Sequence, residues 1–302
     1  MSNTVRAVPQ RQSRTRTMGV RNKRRISLVV KLAIMAVVLV LALFPIAFVI
    51  SASLNPANTL VGLGIIPTRI TLDNFTRLFN SPLHPWPQWI LNSVIVAATT
   101  AVLVTALTAL AAYSFSRLKF RGRRAGLLAL VIVQLFPNML AIVALFLLLQ
   151  GIGSVVPQLG LNSLGGLILI YSGGALGFNT WLMKGYFDTV PYDLDESALV
   201  DGATSFQAFR HVILPLVRPI LAVIGILTFI AAYSDFLLAR VVLSSTENLT
   251  LAVGMTLFVR EYNTEWGTFA AAALIGALPI VVTFLVLQRQ LVGGLAQGGV
   301  KG

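Results

Sequence analysis

The sequence predicts an all-α, polytopic membrane protein with six transmembrane helices, and three observations predict it. Of 302 residues, 56% are hydrophobic and 11% charged, whereas soluble domains carry about 25% charged residues. Six apolar stretches are long enough to cross a ~30 Å hydrocarbon layer, which needs about 20 helical residues. The basic residues fall on alternate connections, as the positive-inside rule requires.

The spans are expected near 28–50, 90–113, 125–149, 164–182, 217–239 and 268–288. No Asp, Glu, Lys or Arg occurs between Arg124 and Lys184, a run long enough for two spans. The Gly-, Pro- and Ser-rich segment 151–166 turns the chain between them. Nineteen of the 23 Lys and Arg then lie on one side; only Arg69, Arg77, Arg240 and Arg260 lie on the other. Both termini are therefore expected in the cytoplasm.

The basic arm 1–25 precedes an apolar run longer than a signal-peptide core, and more spans follow. The first helix is thus read as a retained anchor, and the arm as a topology determinant beside anionic headgroups. A net charge of +13 would point to nucleic acid in a soluble protein; the membrane setting argues against that partner. Residues 26–302 are read as one transmembrane domain. The outer loop 51–89 carries prolines and the interfacial aromatics Trp86 and Trp89. The outer loop 240–267 either stands solvated or reaches a partner.

Gly173 and Gly177 are four apart, as are Ala272 and Gly276, a spacing that lets helices approach closely. No internal duplication marks the inverted repeats of a secondary carrier. Asp235 is the one acid in a span; it either faces a pathway or stays hydrated at the outer interface. Asn92, Gln134, Asn138 and Asn179 either line a polar cavity or bond neighbouring helices. No cysteine is present, which excludes disulfides and thiolate chemistry, and no metal site is expected. No phosphate-binding G-x-x-x-x-G-K-[ST] occurs, and neither His84 nor His211 has a nucleophile at a recognisable spacing. No enzymatic chemistry is expected of this chain.

The cytoplasmic loop 184–218 is different in character. Five of the ten acids fall between Asp188 and Asp201. Asp193 followed by Glu196 has capping-box spacing, as has Thr204 followed by Gln207. Asp195 and Glu196 face the positive end of the first helix. Gly202 is placed to turn the chain with φ > 0, and Pro215 to end the second helix. Such a helix–turn–helix either docks on a partner or lies on the membrane surface.

Glu196-Ser197-Ala198, three residues, Gly202, nine residues, then Val212-Ile213-Leu214-Pro215 resembles the EAA loop of ABC importer permeases. It departs from that pattern at Ser197 and Val212. AAYSFSRLKFRG (111–122), WLMKGYFDTVP (181–191), LTLAVGM (249–255), EWGTFAAAALIGALPI (265–280) and LVGGLAQGGVKG (291–302) resemble the carbohydrate-importing, maltose/maltodextrin type. The resemblance runs from about residue 26 to the end.

The resemblance implies a type I importer permease fold and a non-catalytic subunit of an ATP-driven sugar importer in a bacterial inner membrane. It implies a second permease, two ATPase subunits that bind the ATP and Mg, and an extracytoplasmic solute-binding protein; this chain holds no cofactor. It places Glu196, Ser197, Ala198, Asp201, Gly202, Ala203, Phe206, Phe209, Arg210, Leu214 and Pro215 in the ATPase-coupling element. It assigns the tail Gln297, Gly298, Gly299, Val300, Lys301 and Gly302 to an ATPase contact. Gly254, Met255, Thr256, Leu257 and Trp266 fall in the loop that meets the binding protein. The solute stays open among maltose or maltodextrin, trehalose, another oligosaccharide and a glycerophosphodiester. A carrier or channel working without ATP is the other class.

Overall fold

A computed structural model describes residues 17–298, apart from 58, 68, 83, 137 and 260–263. Among the described residues no strand forms. The helices are α1 (Thr17–Ser53), α2 (Asp73–Asn80), α3 (Trp86–Arg117), α4 (Arg123–Gln134), α5 (Asn138–Gly153) and α6 (Leu164–Phe187). They continue with α7 (Asp193–Val200), α8 (Ser205–Leu216), α9 (Arg218–Ser234), α10 (Leu237–Val242), α11 (Leu251–Gly254) and α12 (Trp266–Gly298).

All six predicted apolar stretches are helical, and four helices run unbroken: Ser27–Ser53, Trp86–Arg117, Leu164–Phe187 and Trp266–Gln288. The other two are broken, the first just before a proline, which removes a backbone donor, and the second at Asp235–Phe236, where no proline stands. The expected span 125–149 is the pair α4 and α5, interrupted just before Pro137. The expected span 217–239 ends at Ser234, and α8 meets α9 at 78°. α8 ends at Leu216, one residue past Pro215, as the sequence suggests, and contains a π-helical turn, Phe209–Ile213, just before the proline. Pro219, in the first turn of α9, has a ring pre-set for a new helix.

α3 is the central helix and packs on α6 and α9; α12 packs on α1 and α9. Two buried clusters result. The outer one gathers Trp86, Trp89, Leu149, Leu167, Leu243 and Phe258. The inner one gathers Tyr113, Met183, Phe187, Phe209, Ile213 and Ile224. Between and around them the helices present apolar side chains outward. Leu41, Val102 and Val133 are each 69% exposed, and none of the most apolar window of Ser27–Ser53 is buried. Apolar surface on that scale is stable only against lipid or another subunit.

Candidate coupling site

The loop 184–218 folds as two short helices around a turn. α7 begins at Asp193 with no side-chain cap, so the first expected capping box does not form. Asp195 is turned inward instead of lying free at the helix start. The second box does form. The Thr204 hydroxyl accepts from the Gln207 N–H, and the Thr204 N–H donates to the Gln207 side chain at 2.7 Å. Gly202 joins the helices at φ +86°, the left-handed region expected there.

A buried polar lattice at the inner end of α3 holds this element. Arg117 Nε stands 2.8 Å from Asp195 Oδ2, with the two side chains 4% and 10% exposed. Arg117 also donates to the Val190 carbonyl at 2.7 Å, and its guanidinium stacks 4.1 Å from the Tyr192 ring centre. The Tyr113 hydroxyl donates to Asp195 Oδ1 and reaches the Ser205 carbonyl at 3.2 Å. The Tyr192 hydroxyl donates to the Ser116 carbonyl, and the Ser116 hydroxyl to Asp188. Burial alone would raise the Asp188 carboxyl. Hydrogen bonds from Lys184 and Ser116, and the charges of Lys184 and Arg123, outweigh it and hold the group below the usual carboxylate range. Asp188 is therefore ionised throughout the range in which a cytoplasm operates.

The lattice ties the loop to the end of α3 through buried charged and polar groups. The composition signalled none of it, because Arg117 and Asp195 are far apart in the chain and only the packing of α3 against the loop unites them.

The expected coupling residues divide by exposure. Glu196, Ser197, Asp201, Gly202, Phe206 and Arg210 are exposed; Ala198, Ala203, Leu214 and Pro215 are half-buried. Phe209 is a correction to a contact role: it is 5% exposed and packs 4.9 Å from the Tyr113 ring, inside the loop's own core. The exposed tip is apolar where a solvated loop would be polar. Val200 is 88% exposed, Phe206 60% and Leu199 47%. His211 is exposed with Nδ1 3.1 Å from the Gln207 carbonyl. No group of His, Asp and Glu suited to a metal ion occurs among the described residues.

At the outer end, residues 243–258 lie down on α3. Trp89 donates to the Thr246 carbonyl at 2.7 Å. Asn92 donates to the Glu247 and Leu249 carbonyls, and Ser93 accepts from the Leu251 N–H. Asn162, at φ +56°, accepts from the Ser244 and Ser245 N–H groups and joins the 150–163 connection to the same segment. Gly254 is not presented to a partner. It is buried, and a Cβ there would stand 2.2 Å from the Trp89 ring. Thr256 is exposed, whereas Met255, Leu257 and Trp266 are half-buried.

Asp235 is half-buried and holds structure together. Its carboxylate accepts from the Leu238 and Ala239 N–H groups and from the Tyr171 hydroxyl at 2.7 Å, so it caps α10 and ties it to α6. Asn92 and Gln134 bond other segments, Gln134 through the Gly174 carbonyl. Gly177 packs on α4 and Ala272 is fully buried, while Gly173 faces open space. Asn179 is half-buried, and the side chain of Asn138 lies outside the described residues. So do the arm 1–16, the side chain of Gln297, and residues 299–302, with Gly299, Val300, Lys301 and Gly302 of the tail.

Four long apolar helices with outward-facing apolar side chains, joined by connections that fold back on α3, define a membrane-embedded subunit. The chain belongs to the family of binding-protein-dependent transport system inner membrane components, whose family model matches residues 106–292. It is a non-catalytic permease subunit. It is 44% identical over 275 residues to the maltose/maltodextrin transport system permease protein MalG of Vibrio parahaemolyticus, covering 87% of this chain and 92% of that one. MalG of Escherichia coli K12 is 42% identical, with 86% and 91% covered. In fold the chain is similar to a subunit of a bacterial ABC transporter involved in the import of the acidic polysaccharide alginate. The TM-score is 0.75 at 24% identity, over 88% of this chain and 97% of that one.

Proposed function

We propose that the chain is the transmembrane subunit of a maltose/maltodextrin importer. It forms the pathway with a second permease, receives sugar from an extracytoplasmic solute-binding protein, and is driven by two ATPase subunits that hold the ATP and Mg. The observation that carries the solute is the 42% to 44% identity to maltose/maltodextrin permeases along nearly the whole chain. The exposed apolar tip at Leu199, Val200 and Phe206 supports ATPase docking, because it is costly in water. Both termini face the cytoplasm in this arrangement, and the tail Gln297–Gly302 reaches toward the ATPases. Thr256, with Met255, Leu257 and Trp266 beside it, meets the binding protein.

Mechanically, the ATPase pair binds the outward-facing state more tightly once ATP closes it, and that difference shifts the bundle. The lever transmits the shift because α7, α8 and the end of α3 are one packed body. Glu196, Ser197, Asp201, Gly202, Phe206 and Arg210 meet the ATPase surface; Phe209 keeps the lever stiff from within.

The test is complementation. Expressed with its own partner subunits in cells lacking a maltose permease, the chain is expected to restore uptake of labelled maltose and maltotriose. Accumulation of a different solute in their place would overturn the solute assignment. Purification of the tagged chain without any ATPase would overturn the importer itself.

Gly202 offers a sharper check on the lever. An added Cβ meets nothing within 4 Å, so the penalty is conformational. A left-handed β-branched residue costs about 1–2 kcal/mol. Gly202→Val is expected to reach the membrane normally and to lose about tenfold of its uptake and coupled ATPase activity. Gly202→Asn, which tolerates φ > 0, is expected to keep most of both. Equal loss in the two variants would place the defect in contact with the partner instead of the turn.

A further inference from the structure

We infer that the short connection between α3 and α4 forms a binding site for an anionic phospholipid headgroup of the inner leaflet. Lys119, Phe120, Arg121, Gly122, Arg123 and Arg124 line a cavity of about 680 Å³ there. Arg123 is already committed to the carbonyls of Phe115 and Ser116. Lys119, Arg121 and Arg124 are exposed, and the two ion pairs found among the described residues involve none of them. No Asp or Glu occurs anywhere between Asp73 and Asp188, so no neighbouring span supplies an acid. The acid at the start of the next cytoplasmic loop, Asp188, is taken by Lys184 and Ser116. Three cations around one cavity call for an external anion.

The helix below the cavity identifies that anion's source. Arg124, Leu128 and Ile132 are spaced by four, so they stack on one face of α4. Leu128 is 60% exposed and Ile132 54%, and α4 buries none of its residues. Phe120, at the rim, is 45% exposed. A cationic cavity continued by an apolar stripe running into the bilayer suits a phosphate that carries acyl chains. Basic pockets at the cytoplasmic ends of spans are the known setting for such headgroups. A soluble phosphate or an acidic protein surface would use the cations and leave the stripe without a role.

The test uses the full chain assembled with its partners in phosphatidylcholine vesicles. These carry traces of spin-labelled phosphatidylglycerol or spin-labelled phosphatidylcholine. The motionally restricted fraction is expected to favour the phosphatidylglycerol label. K119Q/R121Q/R124Q is expected to reduce that preference several-fold, while Lys119→Arg leaves it in place. Should the triple variant fail to reach the membrane, Arg124→Gln alone is expected to show a smaller loss. An unchanged preference in the neutralised protein would overturn the site. Displacement of the label by inorganic phosphate would overturn the lipid source. Loss of ATPase copurification at unchanged lipid preference would also overturn it and assign the cations to a protein surface.

Discussion

Arg117→Met is expected to release the cytoplasmic lever from the bundle and to abolish coupled sugar uptake. Arg117 sits at the end of α3, and its partner Asp195 sits in the first turn of α7. The pair is almost fully buried, so deleting the cation strands a carboxylate in a poor solvent. Breaking a buried pair from one side costs about 3–5 kcal/mol. The substitution also forfeits the bond to the Val190 carbonyl and the stacking on Tyr192. The transmembrane helices do not depend on these contacts, so the protein should still insert. What fails is local: the loop detaches and no longer reports the motion of its partner.

The chain contains no cysteine, so paired labels are easily placed. With spin labels on V200C and R124C, the wild type is expected to give one narrow distance distribution, and Arg117→Met a broad one. The double variant Arg117→Met with Asp195→Leu removes both charges and should recover part of the order, since nothing charged is then left unpaired. A narrow distribution in the single variant would show that the ion pair does not hold the lever.

The second large effect is expected at the opposite end of the molecule. Gly254→Ala adds one methyl carbon at a point 2.2 Å from Cε3 and 2.3 Å from Cδ2 of Trp89. Trp89 is fully buried, and its indole N–H is held by Thr246. It therefore cannot swing aside without losing that bond. Overpacking costs about 1–3 kcal/mol, and an orphaned buried donor a similar amount. Thermal unfolding in detergent should show a lowered midpoint, and uptake should fall with it. Trp89→Leu in the same chain makes room for the methyl group. The double variant is thus expected to be more stable than the sum of the two single losses predicts. Strict additivity would mean that Gly254 and Trp89 are not in contact.

These two residues also mark the boundary of sequence reasoning. Gly254 is noticed through a motif resemblance that assigns it to the loop meeting the binding protein. Of its neighbours Thr256 is exposed and Met255 half-buried; Gly254 itself is pinned under an aromatic ring. Phe209 follows the same pattern, within the coupling motif yet buried against Tyr113. A motif marks a segment, and the tertiary packing decides which of its side chains point out. Asp235 shows the converse. A lone acid near a span end suggests a pathway or a hydrated interface; the fold adds a structural role, since the carboxylate caps a helix that the hydropathy pattern had absorbed into the span.

The spans, their order and the turn chemistry were legible because each depends on neighbours within a few residues. Apolar runs bury themselves in lipid wherever the chain leads. Thr204 caps with Gln207, and Gly202 adopts a positive φ, through short-range geometry alone. The Arg117–Asp195 pair and the Asn162 junction were decided only when distant segments met. They are long-range events, since a buried charge or amide is stable only beside a partner that the fold itself delivers. The sequence therefore determined that this is a membrane subunit with a capped helix–turn–helix element. The tertiary structure determined that the element is joined to α3, through buried groups that water cannot reach.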